Sequence, residues 1–269
     1  MNCTDWNIVG SRGEYIHGTT HKPEGEAVGV VLLGHGFKGY KDYGMLPWLA
    51  EQFAQIGWIS HRFNFSHSGM LADDGLFVRP DLFEVASWNT HVEDLEILST
   101  TFKKDDLPLL MLGHSRGGLA SLLALGRGAI VVAGVISLSA PARCNPLTQE
   151  AQQDLFNIGF IESPSSRTSQ PLRIGTNFIQ EQLDDPNRHD LLSLLQNTKS
   201  NVLLLHGEDD LTVPVTDAHA IHMAMPSATL VPIANGNHVF NTLNPFPIDG
   251  NPSAQLQEVW HAITTWLEN

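Results

Sequence analysis

The chain is short of cysteine, of basic residues and of long apolar runs. Cys3 and Cys144 are the only cysteines in 269 residues. A disulfide framework is therefore not expected. Neither thiol follows an apolar strand with small flanking residues, so neither reads as a nucleophile. No apolar stretch approaches the ~18 residues of a membrane span. The opening Met1-Asn2-Cys3-Thr4-Asp5-Trp6 has neither the basic nor the apolar segment of a signal peptide. A soluble, cytoplasmic protein without a membrane partner is the expectation. Lys and Arg number 15 against 29 Asp and Glu, giving a net charge of −14 and a pI of about 5.2. That balance argues against nucleic acid and anionic membranes as partners. It also disfavours strongly anionic substrates at long range, which only a local Arg could reverse. Repeats, low-complexity tracts and long linkers are absent as well.

What is present is a strand signal that recurs along the chain. Short apolar runs at 14–17, 28–33, 58–63, 109–112, 134–138, 202–205 and 229–233 read as strands, most of them apolar on both faces. Segments of helical period lie between them at 43–56, 82–102, 119–127, 216–225 and 253–267. The alternation predicts a doubly wound α/β fold with a mostly parallel sheet, and its ligand at the carboxyl ends of the strands. The stretch 140–199 breaks the pattern, with Pro141, Pro146, Pro164, Pro171 and Pro186 and no clear strand. It is too long for plain loop. It is expected to be an insertion of short helices that caps the site, with Phe160 and Phe178 as candidate substrate-binding residues. Packing onto the core sheet is the alternative role for those apolar side chains.

The run 109–112 leads into Gly113-His114-Ser115-Arg116-Gly117, followed by a helical segment. Strand, sharp turn, helix is the geometry that lifts a serine hydroxyl clear of a sheet. Small residues are needed two before and two after it, because strand and helix approach closely there. A serine hydroxyl is a weak nucleophile at neutral pH and needs an imidazole to take its proton. A carboxylate must then orient that imidazole. Asp210 follows the strand ending in His206-Gly207, in a loop closed by Val213-Pro214. His238 follows the last strand in Asn235-Gly236-Asn237-His238. Ser115, Asp210 and His238 are the predicted catalytic residues. Glu208 and Asp209 compete for the acid role, and the spacing to Val-Pro selects Asp210. Backbone N–H groups of Phe37, in Gly34-His35-Gly36-Phe37, and of Arg116 are the expected oxyanion donors.

The other histidines read differently. His35, His114 and His206 sit beside glycines, where structural contacts are expected, and His67 is expected at the surface or behind the site. His219 and His222 could share a metal, but a solvated helix face is the better reading, and no metal site is predicted. The paired acids Asp73-Asp74, Asp105-Asp106 and Asp184-Asp185 are expected to face solvent. The Arg116 side chain is expected to reach the surface or, alternatively, a substrate carboxylate.

Four segments together resemble the α/β-hydrolase superfamily over nearly the whole chain. They are His35-Gly36-Phe37, Gly113-His114-Ser115-Arg116-Gly117-Gly118, His206 to Pro214, and Asn237-His238-Val239-Phe240. More narrowly, His35-Gly36-Phe37-Lys38-Gly39, Arg62-Phe63-Asn64-Phe65-Ser66 and His238-Val239-Phe240-Asn241 look like the cinnamoyl and feruloyl esterase-like group, close to dienelactone-hydrolase-like proteins. The chain departs from that group at Ser66-His67-Ser68-Gly69, where Arg-Gly-His-Gly is common. It departs from true dienelactone hydrolases in carrying Ser rather than Cys at position 115. Some α/β-hydrolases place the acid one strand earlier, but Ser137-Leu138-Ser139-Ala140-Pro141 offers no carboxylate. The resemblance implies one domain over 1–269. It also implies a serine carboxylesterase acting on small or aromatic-acyl esters, with a small-molecule ester as partner and no cofactor. A peptidase of the prolyl-oligopeptidase type is the enzymatic alternative, though the length leaves no room for a propeller. It would need carboxylates such as Glu150, Glu162 or Glu181 to hold an amine. A non-catalytic binding protein on the same fold is the other alternative.

Overall fold

The structure is a computed structural model that describes residues 2–71 and 75–268. Eight strands form one sheet. In chain order they are β1 (Asn2–Val9), β2 (Tyr15–Lys22), β3 (Gly29–Gly34), β4 (Trp58–Asn64), β5 (Leu109–His114), β6 (Gly134–Leu138), β9 (Asn201–Gly207) and β10 (Thr229–Ile233). Their spatial order is β1-β2-β4-β3-β5-β6-β9-β10. The first two pairings, β1 with β2 and β2 with β4, are antiparallel, and every later one is parallel. A separate two-stranded ladder joins β7 (Phe160–Glu162) to β8 (Arg173–Gly175).

Side-chain alternation along the strands divides the core into two layers. Val30 and Leu32 of β3, with Leu109 and Met111 of β5, face one layer. It is covered by α3 (Trp88–Phe102), α4 (Arg116–Gly126) and α8 (Thr216–Ala224). Val31, Leu33, Leu110 and Leu112 point the other way, toward α1 (Leu46–Gln55) and α9 (Ala254–Leu267). Because both faces are sealed, these strands carry no polar alternation, which is why they read as continuous apolar runs. This is the doubly wound, mostly parallel architecture that the alternation predicts. From β3 the chain moves to β4 on one side, and from β5 to β6 on the other. The reversal leaves a crevice at the carboxyl ends of β3 and β5.

Three elements differ from the sequence reading. β1 gives no apolar signal because it is the sheet edge and most of its side chains are exposed. β2 runs on past His17 through residues that are polar yet buried, among them Thr20, whose hydroxyl pairs with His61 Nδ1 at 2.8 Å. The expected helix 82–102 is two helices, α2 (Pro80–Glu84) and α3, parted where Ser87 caps α3 and accepts from Thr90 N at 3.3 Å. Within 140–199 lie the β7–β8 ladder, α5 (Gln149–Ile158), α6 (Asn177–Asp184) and α7 (Leu191–Leu195). The ladder strands span three residues each, too few to register as apolar runs. No helix among the described residues is long and apolar enough to cross a membrane.

His61 on β4 is buried, with its ring stacked on Phe102 at 3.8 Å. Burial, aided by Lys104, pushes its pKa down to about 3. The unfolded chain takes up that proton below about pH 6.5, whereas the folded chain does not until about pH 3. The stability tied to His61 is thus complete above pH 6.5 and is lost as pH falls toward 3. At pH 5 the loss should be about 2 kcal/mol. Urea unfolding at pH 7 and pH 5 checks it: His61→Gln should lose less stability between the two than wild type, by about that amount. Equal losses would contradict the assignment.

Candidate active site

Ser115 occupies the turn between β5 and α4 at φ 53, ψ −116, a conformation that L residues rarely adopt. Two hydrogen bonds hold it there: its N–H donates to Leu138 O at 2.7 Å, and its carbonyl accepts from Leu119 N at 3.0 Å. The flanking glycines are required by contact. A Cβ on Gly117 would lie 2.6 Å from His35 O and 2.7 Å from Gly34 O, while one on Gly113 would overlap the backbone of Gly117.

The structure brings Ser115, His238 and Asp210 together from three strand ends. Ser115 Oγ lies 3.0 Å from His238 Nε2, and His238 Nδ1 donates to Asp210 Oδ2 at 2.7 Å. With the Nδ1 proton on the Asp210 side, Nε2 is free to accept from the serine hydroxyl. Asp210 is buried at 5 % exposure. Its Oδ1 accepts from Thr212 N at 2.8 Å and Val213 N at 2.9 Å. Burial alone would raise its pKa, but hydrogen bonds from His206, His238 and the Val213 backbone outweigh it and hold the carboxyl well below the usual range. The competitors Glu208 and Asp209 are exposed.

The glycine-flanked histidines act as braces. His206 Nε2–H is shared between Val213 O at 2.8 Å and Asp210 Oδ2 at 3.3 Å. His114 Nε2 donates to the carbonyl of His238 at 2.8 Å, and burial, with His238 nearby, pushes its pKa down to about 3. His35 Nδ1 donates to Gly36 O at 2.8 Å, and its Nε2 accepts from Phe65 N at 3.3 Å. It thereby ties the loop after β3 to the end of β4. His67 is buried rather than at the surface, with Nδ1 2.8 Å from Ser66 Oγ and 3.0 Å from Ser11 Oγ. Asp94 anchors the same loop, accepting from the N–H groups of Ser11 and Ser66 at 2.8 Å each, and burial raises its pKa to about 7.

Phe37 and Arg116 flank Ser115, and neither backbone N–H donates to an acceptor among the described residues. A cavity of about 170 Å³ opens at Ser115. Its walls include Phe37, Lys38, Tyr43 and His238, together with Ser165, Ser166 and Arg167 from the turn between β7 and β8. Lys38 Nζ donates to Pro164 O at 2.9 Å, linking the loop after β3 to that same stretch.

Phe160 and Phe178 do not line this cavity. Phe178 is buried in the core, 5.7 Å from the Trp88 ring, and Phe160 stacks under the Arg173 guanidinium at 4.0 Å. The Arg116 side chain does not run to the surface as expected. Its guanidinium sits among the rings of Trp88 and Phe178, each at 5.0 Å, and Phe37 at 5.4 Å. Burial pushes its pKa down to about 10, against a smaller opposing pull from Glu181. No local sequence signal could have found this cage, because its rings come from three separate segments.

The remaining candidates fall elsewhere. Burial pushes the Cys144 thiol up to about 12, which suits packing rather than nucleophilic attack. Asp105, Asp106, Asp184 and Asp185 are exposed, and Asp73 and Asp74 lie outside the described residues. His219 is exposed, while His222 Nδ1 donates to Ala228 O at 3.0 Å. Cys3, His21 and Glu51 bring ligand atoms within 4.8 Å of one another. His21 there gives a hydrogen bond to Glu51 at 3.1 Å and takes one from Arg62 Nε at 3.0 Å, so a guanidinium already supplies the cation.

Comparison with known proteins gives one consistent picture. The family model described as serine aminopeptidase, S33, matches residues 25–158, a span that includes Ser115 and ends before Asp210 and His238. A monoglyceride lipase of Rattus norvegicus is 26% identical over 142 residues, covering 52% of this chain and 44% of the relative. The match thus spans less than half the length of that curated relative. Among solved structures, Est1E from Butyrivibrio proteoclasticus with bound ferulic acid superposes with a TM-score of 0.71 at 17% identity, covering 98% of each chain. A dienelactone hydrolase from Anabaena variabilis superposes at 0.61 with 18% identity, covering 100% of this chain and 98% of the other.

The close approach of β5 and α4 is open to a direct check. Alanine is favoured over glycine in a helix by about 1 kcal/mol. In Gly117→Ala the new methyl meets two backbone carbonyls that cannot yield, so the variant should lose about 1–3 kcal/mol net. Chemical denaturation measures it, and a stabilised variant would show that the contact is not limiting.

Proposed function

We propose that the chain, which has the fold of the α/β-hydrolases, is a serine carboxylesterase hydrolysing small or aromatic-acyl esters through an acyl-enzyme. The observation that carries this reading is the hydrogen-bonded series Ser115 Oγ to His238 Nε2 at 3.0 Å and His238 Nδ1 to Asp210 at 2.7 Å. In the first step His238 Nε2 takes the hydroxyl proton as Ser115 Oγ attacks the ester carbonyl. Asp210 holds the ring in the required tautomer and stabilises the imidazolium. The N–H groups of Phe37 and Arg116 receive the oxyanion. The imidazolium then protonates the departing alcohol. Water, activated by the same imidazole, releases the acid and restores Ser115.

The size and charge of the site separate this reading from its rivals. A cavity of about 170 Å³ suits a short acyl or compact aromatic group better than the long chain of a lipid. An aminopeptidase must hold a substrate ammonium, yet no carboxylate among the described residues lines the cavity. Glu181 is committed to the start of α3, accepting from Trp88 N at 2.6 Å. Ser165, Ser166 and Arg167 on the cavity wall support a capping role for the insertion 140–199 within a single domain over 1–269.

Ser115→Ala should abolish nearly all turnover of p-nitrophenyl acetate and butyrate, leaving at most the ~10³–10⁴-fold contribution of binding and the oxyanion donors. A fluorophosphonate probe should label wild type at Ser115 and leave the variant unlabelled. Asp210→Asn should keep the fold and slow turnover by about 10⁴. Wild-type turnover in Ser115→Ala would dismiss the nucleophile. An unlabelled wild type would favour a binding protein over an enzyme.

A further inference from the structure

The chain carries a net charge of −14, yet behind the buried carboxylate of Asp210 the charged side chains that line the cavity at Ser115 are cationic. Lys38 and Arg167 line the cavity, and no acid among the described residues joins them. Arg116, next to Ser115, extends into a narrow recess behind Phe37, walled by His67, Ser68, Phe83 and His91. Its Nε and Nη2 are sealed from solvent with no hydrogen-bond partner, and Glu181, whose charge acts on it, makes no hydrogen bond or ion pair with it among the described residues. Aromatic faces stabilise a guanidinium through its charge, but they leave its in-plane N–H groups unmet. Arg116 is half-buried, and donors of a guanidinium that are shut off from water and unpaired are costly unless an anion completes them.

We propose that the ester taken by this site carries a carboxylate, which Arg116 binds in the recess behind Phe37 while Lys38 and Arg167 supply positive potential beside Ser115. A carboxylate is the planar acceptor that matches a guanidinium in two parallel hydrogen bonds. The recess is narrow and walled by rings, which favours a planar group over a tetrahedral phosphate. Phe37 lines both the cavity at Ser115 and the recess and is 40% exposed. With the ring as it stands the recess holds only about 10 Å³, room for a single water, so the proposal requires the Phe37 ring to turn aside for the carboxylate to enter. The substrate class is then a half-ester of a dicarboxylic acid, which enters as a monoanion and leaves as a dianion plus an alcohol. This inference rests on the esterase reading.

The test compares monoethyl esters of C4 to C8 dicarboxylic acids with the neutral ethyl esters of monocarboxylic acids of equal carbon count, read as ethanol released. Wild type should prefer the half-ester by at least tenfold in kcat/KM at the best chain length, and the preference should lie in KM. In Arg116→Met, which keeps the side chain's length and its backbone donor, the ratio of half-ester to neutral ester should fall by at least tenfold. Arg116→Lys should retain part of it. Because Arg116 also carries a proposed oxyanion donor, the ratio is read rather than either rate. Should Arg116→Met not fold, wild type still decides: free adipate should protect Ser115 from a fluorophosphonate at lower concentration than hexanamide does. A wild type that disfavours the half-ester at every length overturns the proposal. So does an unchanged ratio in a folded Arg116→Met with a lowered Tm, or protection by hexanamide equal to that by adipate. If wild type hydrolyses neither series and Ser115 is not labelled, the esterase reading itself fails and this proposal falls with it.

Discussion

Everything at the site depends on how closely β5 and α4 cross. The backbone of Gly117 nearly touches the carbonyls of Gly34 and His35, and Gly113 leaves no room for a side chain against Gly117. That proximity forces the intervening residue to positive φ, and the cost is met by the surrounding apolar layers rather than locally. The strained turn sets the hydroxyl at the end of the sheet, and it places the Arg116 N–H beside the same point. A looser crossing would let Ser115 relax into the helix and point its oxygen away from His238.

The second constraint is the ionised carboxylate of Asp210, buried with no cationic side chain as a standing partner. Backbone N–H groups of Thr212 and Val213 occupy one oxygen, and imidazole N–H groups from His238 and His206 meet the other. These donors are fixed in place by the fold before any substrate arrives. Their alignment holds the charge in place, and in the proposed mechanism that charge stabilises the imidazolium of His238. His114 contributes from the far side by gripping the carbonyl of His238, so the ring is positioned from both its side chain and its backbone.

Much of this could be read before any coordinates. The strands are apolar on both faces, so their ends were visible, and the chemistry sits at strand ends. Ser115, Asp210 and His238, which the structure brings within hydrogen-bond distance, were picked out by strand ends together with the Gly-x-Ser-x-Gly turn, the spacing to Val213-Pro214 and the chain order. Contacts between distant segments were not legible. Arg116 reads as a surface cation until Trp88, Phe178 and Phe37 are seen to enclose it. His206 reads as a glycine neighbour until its Nε2 is found beside Asp210. Within 140–199, period and propensity say little because three-residue strands and five-residue helices fall below the length at which a pattern repeats. β1 escaped for the opposite reason: an edge strand with exposed side chains has no apolar face to display.

The placement of Lys38, Arg116 and Arg167 in an otherwise acidic molecule has a kinetic side. At physiological salt, charges are screened beyond roughly 8 Å, so an approaching anion feels the molecule's overall repulsion only weakly until it is near. At low ionic strength that repulsion reaches further, and three half-buried cations are outweighed at a distance by a net charge of −14. Electrostatic attraction here operates after arrival, not before it. A site that takes an anionic ester in this way would be a filter rather than a funnel: the surface would slow anions in dilute salt, and the interior would retain those that enter.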